Sequence, residues 1–345
     1  MNEATLRFWN YRIYPKSQYP NKFCIVPYKA VQIDQDGDVM LCLCPAHMPH
    51  VIGNVYQNSL QQIWHDEQAR LVRESVERSE FSYCHPSCIF LPQLLDRPPE
   101  IPELLPFPVD IKIDIDRSCN LKCATCRESV IIEKNNHRID LQKRLFQEIV
   151  DYSNTNPDLI IRVTPTASGE IFASHSGLAF LEQLVAKPNN VKIGLTTNGT
   201  LLWRNRDLYH ELVQKQILLD VSISIDAATR ETYADIRGGD WDELLRGIDM
   251  VKQHYGFDRQ ARLNFCVQMR NYHEIEQFAD WANSIGMIAY FQALNNWGHW
   301  NRQWWTDNDA LDPNKNLRRE IINTVQRLRQ KYGEDYVVCD NVFLI

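Results

Sequence analysis

Three cysteines fall within eight positions of this chain, Cys119, Cys123 and Cys126, spaced C-x3-C-x2-C in the stretch RSCNLKCATCRES. A disulfide uses cysteines in pairs, and a closed structural zinc site takes four ligands. An iron–sulfur cube is also held, as a rule, by four thiolates. Three thiolates therefore leave one iron with an open position, where a substrate or cofactor can bind. A zinc site completed from elsewhere, or three unligated core thiols, would fit the same spacing.

A second group lies nearer the N-terminus. Cys24, Gly37 and Cys42 read C-x12-G-x4-C, and Cys84 and Cys88 read C-x3-C. Asp36-Gly37 is a hairpin signal, so two strands can bring Cys24 and Cys42 together. Ser59 and Gln62 form a possible capping box opening a helix between the two pairs. Four cysteines can hold one closed iron–sulfur cluster or one zinc ion. Cys44 is an alternative to Cys42.

The elements that must position these thiols are legible in outline. Six prolines between 92 and 108 mark an extended linker. It separates residues 1–91, rich in cysteine, from a longer region at 109–300, and residues 301–345 add a helix and a strand. After the linker, strand patterns at 109–115, 159–164, 191–196, 219–225, 261–268 and 287–293 alternate with helical patterns. Such an order predicts an α/β fold with a parallel sheet. The first three cysteines follow the first of these strands, at the end where α/β proteins place their sites.

Several of these strands alternate strictly. Val221, Ile223 and Ile225 alternate with Ser222, Ser224 and Asp226; Leu263, Phe265 and Val267 alternate with Asn264, Cys266 and Gln268. Parallel strands covered on both faces by apolar layers read as continuous apolar runs. One face here is polar, and a polar lumen is the economical explanation. Cys266 falls on that face, although cysteine is often no more than a small core residue. Trp297, Trp300, Trp304 and Trp305 follow the sixth strand, as a stacking wall or as a lid.

C-x3-C-x2-C after the first of a run of βα units resembles the signature of radical S-adenosylmethionine (SAM) enzymes. The resemblance covers about residues 109–294. It implies a partial (β/α)6 barrel whose [4Fe–4S] cluster binds SAM and cleaves it to methionine and a 5′-deoxyadenosyl radical, which abstracts a substrate hydrogen. By the same resemblance Gly169 and Glu170 bind the SAM amino group, and Asn198 lies in the loop after the third strand. Ser222, Ser224 and Asp226 approach the ribose and methionine, and Arg237 meets the carboxylate. Thr125 departs from the aromatic residue usual before the third cysteine. The N-terminal region resembles the SPASM or twitch auxiliary-cluster domain, through the cysteine spacing and through Gly53, Asn54, Ser59, Leu60, Ile63 and Trp64. That implies an auxiliary [4Fe–4S] cluster on Cys24, Cys42, Cys84 and Cys88, placed ahead of the barrel rather than after it.

The expected function is hydrogen abstraction from a peptide substrate, with Cys266 as hydrogen donor in an epimerisation. The alternatives are the same chemistry on a carbohydrate, and a non-catalytic iron–sulfur or zinc protein. An electron donor such as flavodoxin or ferredoxin is the implied partner. A net charge of −7 argues against a broad nucleic-acid surface. No apolar stretch has the length of a membrane span and no secretory signal opens the chain, so a cytoplasmic, reducing location is expected.

Overall fold

The structure, a computed structural model, describes residues 19–43, 48–85, 88, 94–134, 136–165, 168–187, 189–256, 261–295 and 300–344. Cys44, Trp297 and His299 lie outside them. The chain divides into two compact units. The first takes the residues up to 117 with 133–169 and 174–193; the second takes 118–132, 170–173 and 194 onward.

In the first unit, β1 (Lys22–Phe23) is followed by β2 (Ala30–Ile33), β3 (Asp38–Met40) and β4 (Gly53–Asn54). The predicted hairpin is present: β2 and β3 pair antiparallel, Ile33 opposite Val39. Gly37 turns it at φ +80°, a left-handed conformation that costs glycine little. Helix α1 (Leu60–Trp64) opens with the expected Ser59–Gln62 capping box, and α2 (Glu67–Glu77) follows under an Asp66 cap.

The proline-rich segment is extended, as expected, but it is not free. Within it β5 (Leu95–Asp96) pairs antiparallel with β1, and the Trp64 indole donates to the Leu105 carbonyl at 2.7 Å. Leu94, Ile101 and Leu104 pack against the cluster formed by Phe23, Tyr28, Val76 and Phe81. β6 (Asp110–Ile113) then pairs in parallel with β2, Val31 opposite Ile111. The cysteine-rich region and the first βα units thus share one compact unit, divided differently from the boundary that the prolines suggest.

Helix α3 (His137–Thr155), capped by Asn136, leads to β7 (Ile161–Thr164), parallel to β6. Helix α4 (His175–Ala186) is capped by Ser174, and its Phe180 stacks on Phe146 of α3 with ring centroids 3.9 Å apart. Strand β8 (Val191–Thr197) pairs in parallel with β7 through its first residues and then runs into the second unit.

The second unit carries α5 (Arg206–Gln214), β9 (Leu218–Ser224), α6 (Arg230–Ile236), α7 (Trp241–Lys252), β10 (Ala261–Val267), α8 (Ile275–Ser284), β11 (Ile288–Ala293), α9 (Arg302–Asn308), α10 (Leu317–Tyr332) and β12 (Val337–Cys339). Its four complete strands are all parallel, in the order β9-β10-β11-β12. Ile223, Leu263, Phe265, Val267 and Phe291 are buried, and Phe278 of α8 packs on Phe265 with centroids 4.7 Å apart. The apolar face is therefore covered by helix, each large side chain contributing about 1.5–3 kcal/mol. On the opposite face Ser222, Ser224 and Cys266 are half-buried and Asn264 is buried, so that face is not open solvent either. Gly247 of α7 lies so close to the Gly199 carbonyl that a Cβ would sit 2.3 Å from its oxygen. That approach fixes α7 against the turn after β8.

No helix among the described residues is long and apolar enough to cross a membrane. The structure therefore bears out the α/β class with a mostly parallel sheet.

Candidate active site

The loop bearing Cys119, Cys123 and Cys126 lies wholly in the second unit. It closes on itself where the Cys119 amide donates to the Ile131 carbonyl at 2.7 Å, and a turn brings the Cys126 amide to the Cys123 carbonyl at 2.9 Å. The Ala124 amide donates to Ile236 at the end of α6. Every thiol faces a nitrogen donor. The Leu121 backbone amide lies 3.4 Å and the Asn198 side-chain Nδ2 3.9 Å from Cys119 Sγ. Arg237 Nη1 lies 3.8 Å from Cys123 Sγ, and Arg127 Nε lies 3.4 Å from Cys126 Sγ. Burial pushes the Cys119 thiol up to about 11 and raises Cys123 as well, while Arg237 pulls Cys123 the other way.

Glu170 is fully buried at the entrance to this loop, and its amide donates to the Ser118 carbonyl at 2.7 Å. Its carboxyl accepts from the Thr197 hydroxyl at 2.9 Å, the Asn198 amide at 2.6 Å and the Phe172 amide at 3.3 Å. Burial raises it to about 7 against those donors. The Asn198 side chain continues the chain of bonds to Asn120, which in turn donates to Thr200 at 3.0 Å. Glu170 is thus engaged in holding the turn after β8, and Gly169 sits in the bend leading to it.

Asp226, two residues past the end of β9, takes a left-handed conformation, φ +61°, that few side chains adopt. Its surroundings hold it there. Asn271 donates to its carbonyl at 2.9 Å, the Cys266 amide donates to Oδ1 at 2.7 Å, and Arg237 pairs with Oδ2 at 2.7 Å. Burial opposes charge on Arg237, but Asp226 and the Cys123 thiol outweigh it and keep the guanidinium cationic. Two residues expected to reach a cofactor therefore bond each other. A continuous line runs from the Cys266 amide through Asp226 and Arg237 to Cys123. The Cys266 thiol lies 3.6 Å from the Ala293 carbonyl, and burial above all, then Asp226, raises it well beyond the ordinary thiol range.

In the first unit, Cys42 and Cys88 are buried and Cys24 and Cys84 half-buried. Burial raises the Cys84 thiol well above its ordinary value, and the adjacent Cys88, Cys24 and Cys42 thiols add to it. The four predicted ligands are gathered together. Burial pushes Cys24 up to about 11. The nine described cysteines are all free of disulfides.

Among the described residues no three His, Cys, Asp or Glu side chains converge on a point fit for one metal ion. An iron–sulfur cube asks for no such convergence, since each thiolate binds its own iron. Three unpaired thiols ringed by nitrogen donors, two of them guanidinium groups, suit an anionic cluster with one iron left over; four gathered thiols suit a closed one.

Sequence reasoning missed Arg127, Asn120 and Glu274. Glu274 is buried and accepts from the Ala228 amide and the Thr229 and Thr232 hydroxyls, each at 2.6 Å, which clamps the start of α6. Only Arg127, directly after the third cysteine, had a sequence signal. Trp300 and Trp304 stack with centroids 4.8 Å apart at the start of α9.

An α/β protein with a three-thiol loop at the strand ends and a four-thiol site before it is an iron–sulfur protein of a recognisable class. The profile described as "Radical SAM superfamily" matches residues 114–282, and the SPASM profile, described as "Iron-sulfur cluster-binding domain", matches residues 24–89. The chain belongs to the radical SAM superfamily and is a radical SAM enzyme with an N-terminal SPASM domain. Its cofactors are SAM, the [4Fe–4S] cluster that binds it, and an auxiliary cluster. A GTP 3',8-cyclase of Alkaliphilus oremlandii is 33% identical over 141 residues, 40% of this chain and 42% of that protein. The AdoMet-dependent heme synthase of Methanosarcina barkeri is 27% identical over 184 residues, 51% of this chain and 48% of that protein. The chain spans about half the length of the curated relatives it matches. Among solved structures, Streptococcus suis SuiB bound to S-adenosylmethionine has 14% identity and a TM-score of 0.46, over 68% of this chain and 51% of that one.

Proposed function

We propose that this enzyme acts on a peptide, and that Cys266 returns a hydrogen atom to the substrate carbon, inverting it. Cys119, Cys123 and Cys126 would hold the SAM-binding cluster, and Cys24, Cys42, Cys84 and Cys88 the auxiliary one. When bound and reduced, the first cluster supplies the one-electron cleavage of SAM that starts hydrogen abstraction.

The observation that carries the proposal is the state and place of the Cys266 thiol. It lies on the polar face of β10, opposite Gln292, with its amide tied through Asp226 and Arg237 to the cluster loop. Burial keeps its proton on. A hydrogen-atom donor has to be the neutral thiol, not the thiolate. After donation the sulfur radical takes up one electron and one proton, the electron coming from the reductant, a flavodoxin- or ferredoxin-like protein. Nine described cysteines without a disulfide fit a reducing cytoplasm.

Ser222 and Ser224, on the same face of β9, would orient SAM, with Asn198 beside the Cys119 ligand. Arg237 would reach the carboxylate by exchanging part of its bond to Asp226. The GTP 3',8-cyclase relatives match only about half of this chain, so their substrate is not carried over. A carbohydrate is the second reading, favoured by the stacked Trp300 and Trp304.

The test is Cys266→Ala in D2O with SAM and a strong reductant. 5′-Deoxyadenosine should still form, while inversion and carbon-bound deuterium disappear. Inversion that persists in the variant refutes the role of Cys266.

A further inference from the structure

Two side chains near Cys266 have hydrogen-bonding capacity to spare: Asn264, two residues before it in β10, and Gln268, one residue past the end of that strand. Gln268 is fully buried, and neither its Oε1 nor its Nε2 has a partner among the described residues. Asn264 is 8% exposed, and its Oδ1 has none among them either. Their backbones are fully employed: the Asn264 carbonyl accepts from the Ile225 and Asp226 amides, and the Gln268 amide donates to Asn271 Oδ1. Buried carboxamides are almost always paired, because an unpaired one loses its bonds to water with nothing in return. Residues 264 and 266 share a face by strand alternation, while Phe265 and Val267 pack into the apolar layer, and Gln268 continues the sequence directly past the strand end.

We propose that Asn264 and Gln268 form an amide-reading subsite, which holds the backbone of a peptide substrate along the inner face of β10 with its reacting carbon at Cys266. The proposal rests on the reading of Cys266 given above and adds what recognises the substrate. Two chemical facts favour a peptide. A carboxamide offers a donor and an acceptor side by side, the complement of a peptide group's own C=O and N–H. Alternate residues of a strand are also about 6.6 Å apart, the repeat of an extended peptide. One such chain lying along β10 meets Asn264, the thiol and Gln268 in step. Sugar hydroxyls also donate and accept, but a sugar ring does not present them at that repeat.

The experiment uses the full chain, cluster-loaded, and the apolar change Gln268→Leu. Without substrate, the variant should unfold at a midpoint a few degrees higher, because an unmatched buried amide has been removed. A lower midpoint means that the amide has a structural partner, and overturns the proposal. The enzyme is then run in D2O with SAM and reductant on two probes, a pool of randomised-sequence heptapeptides and a pool of small oligosaccharides. The peptides should gain carbon-bound deuterium, and Gln268→Leu should raise the half-saturating concentration at least tenfold with a smaller change in the plateau. Labelling of the oligosaccharides alone, labelling of neither pool, or an unchanged half-saturating concentration overturns the subsite. If Cys266→Ala still labels the peptides while Gln268→Leu weakens their binding, the subsite stands and the hydrogen-donor reading falls.

Discussion

At the scale of single residues, two buried carboxylates near the cluster loop respond to pH in opposite directions. Glu170, raised by burial to about 7, holds its proton more tightly folded than unfolded. Its contribution to stability is greatest below the unfolded value, is lost as pH rises toward about 7, and changes no further above that. The loss is about 3 kcal/mol. Glu170→Gln should flatten that slope, seen as a smaller difference between urea midpoints at pH 5 and pH 7.5 at equal cluster content. Burial also works to raise Glu274, but the Thr229, Thr232 and Ala228 donors outweigh it and hold the carboxyl below its usual range. Its stabilisation is present at neutral pH and is lost in acid. The sequence marks Glu170 only through the resemblance that assigns it to SAM, and it does not mark Glu274 at all. Each meets three donors, and what separates them is how strongly burial opposes the charge, more at Glu170 than at Glu274, a balance set by segments distant in the chain.

At the scale of elements, the six βα strands were readable because each is an apolar or alternating run bounded by turn residues. Helix α6 was not. Its seven residues carry only two buried side chains, Tyr233 and Ile236, too few to show a helical period. Thr229 caps it, and the Glu274 clamp holds that cap from the start of α8. Yet α6 delivers Arg237 to Asp226 and Cys123, and the Ile236 carbonyl to the cluster loop. Glu274→Ala should cost about 2–3 kcal/mol, the worth of charged hydrogen bonds in a buried place. It should also slow SAM cleavage, because the guanidinium loses its fixed position. Denaturation and the rate of 5′-deoxyadenosine release measure the two effects separately.

At the scale of the whole molecule, the two-part order of the chain was legible, since the matched stretches 24–89 and 114–282 fall on either side of the prolines. The Cys84 thiol has Cys88, Cys24 and Cys42 near it, the set proposed to hold the auxiliary cluster. Cys84→Ser should lower the iron content from about eight to about four per chain while leaving the three-cysteine cluster in place. Iron analysis together with the electron paramagnetic resonance spectrum of the reduced protein checks this. The parallel pairing of β2 with β6 could not be read from sequence. Val31 and Ile111 stand opposite each other although eighty positions separate them, and no local pattern announces such a partner.

That pairing has a consequence for how the enzyme is put together. The N-terminal segment is no removable accessory, because its strand shields one flank of the strand that feeds the three-cysteine loop. Cutting the chain at the prolines would bare a row of unsatisfied amides and carbonyls between Ile111 and Ile113, a ready template for another chain to attach to. Gain or loss of the auxiliary domain during evolution would then have required a replacement neighbour for that strand at the same moment.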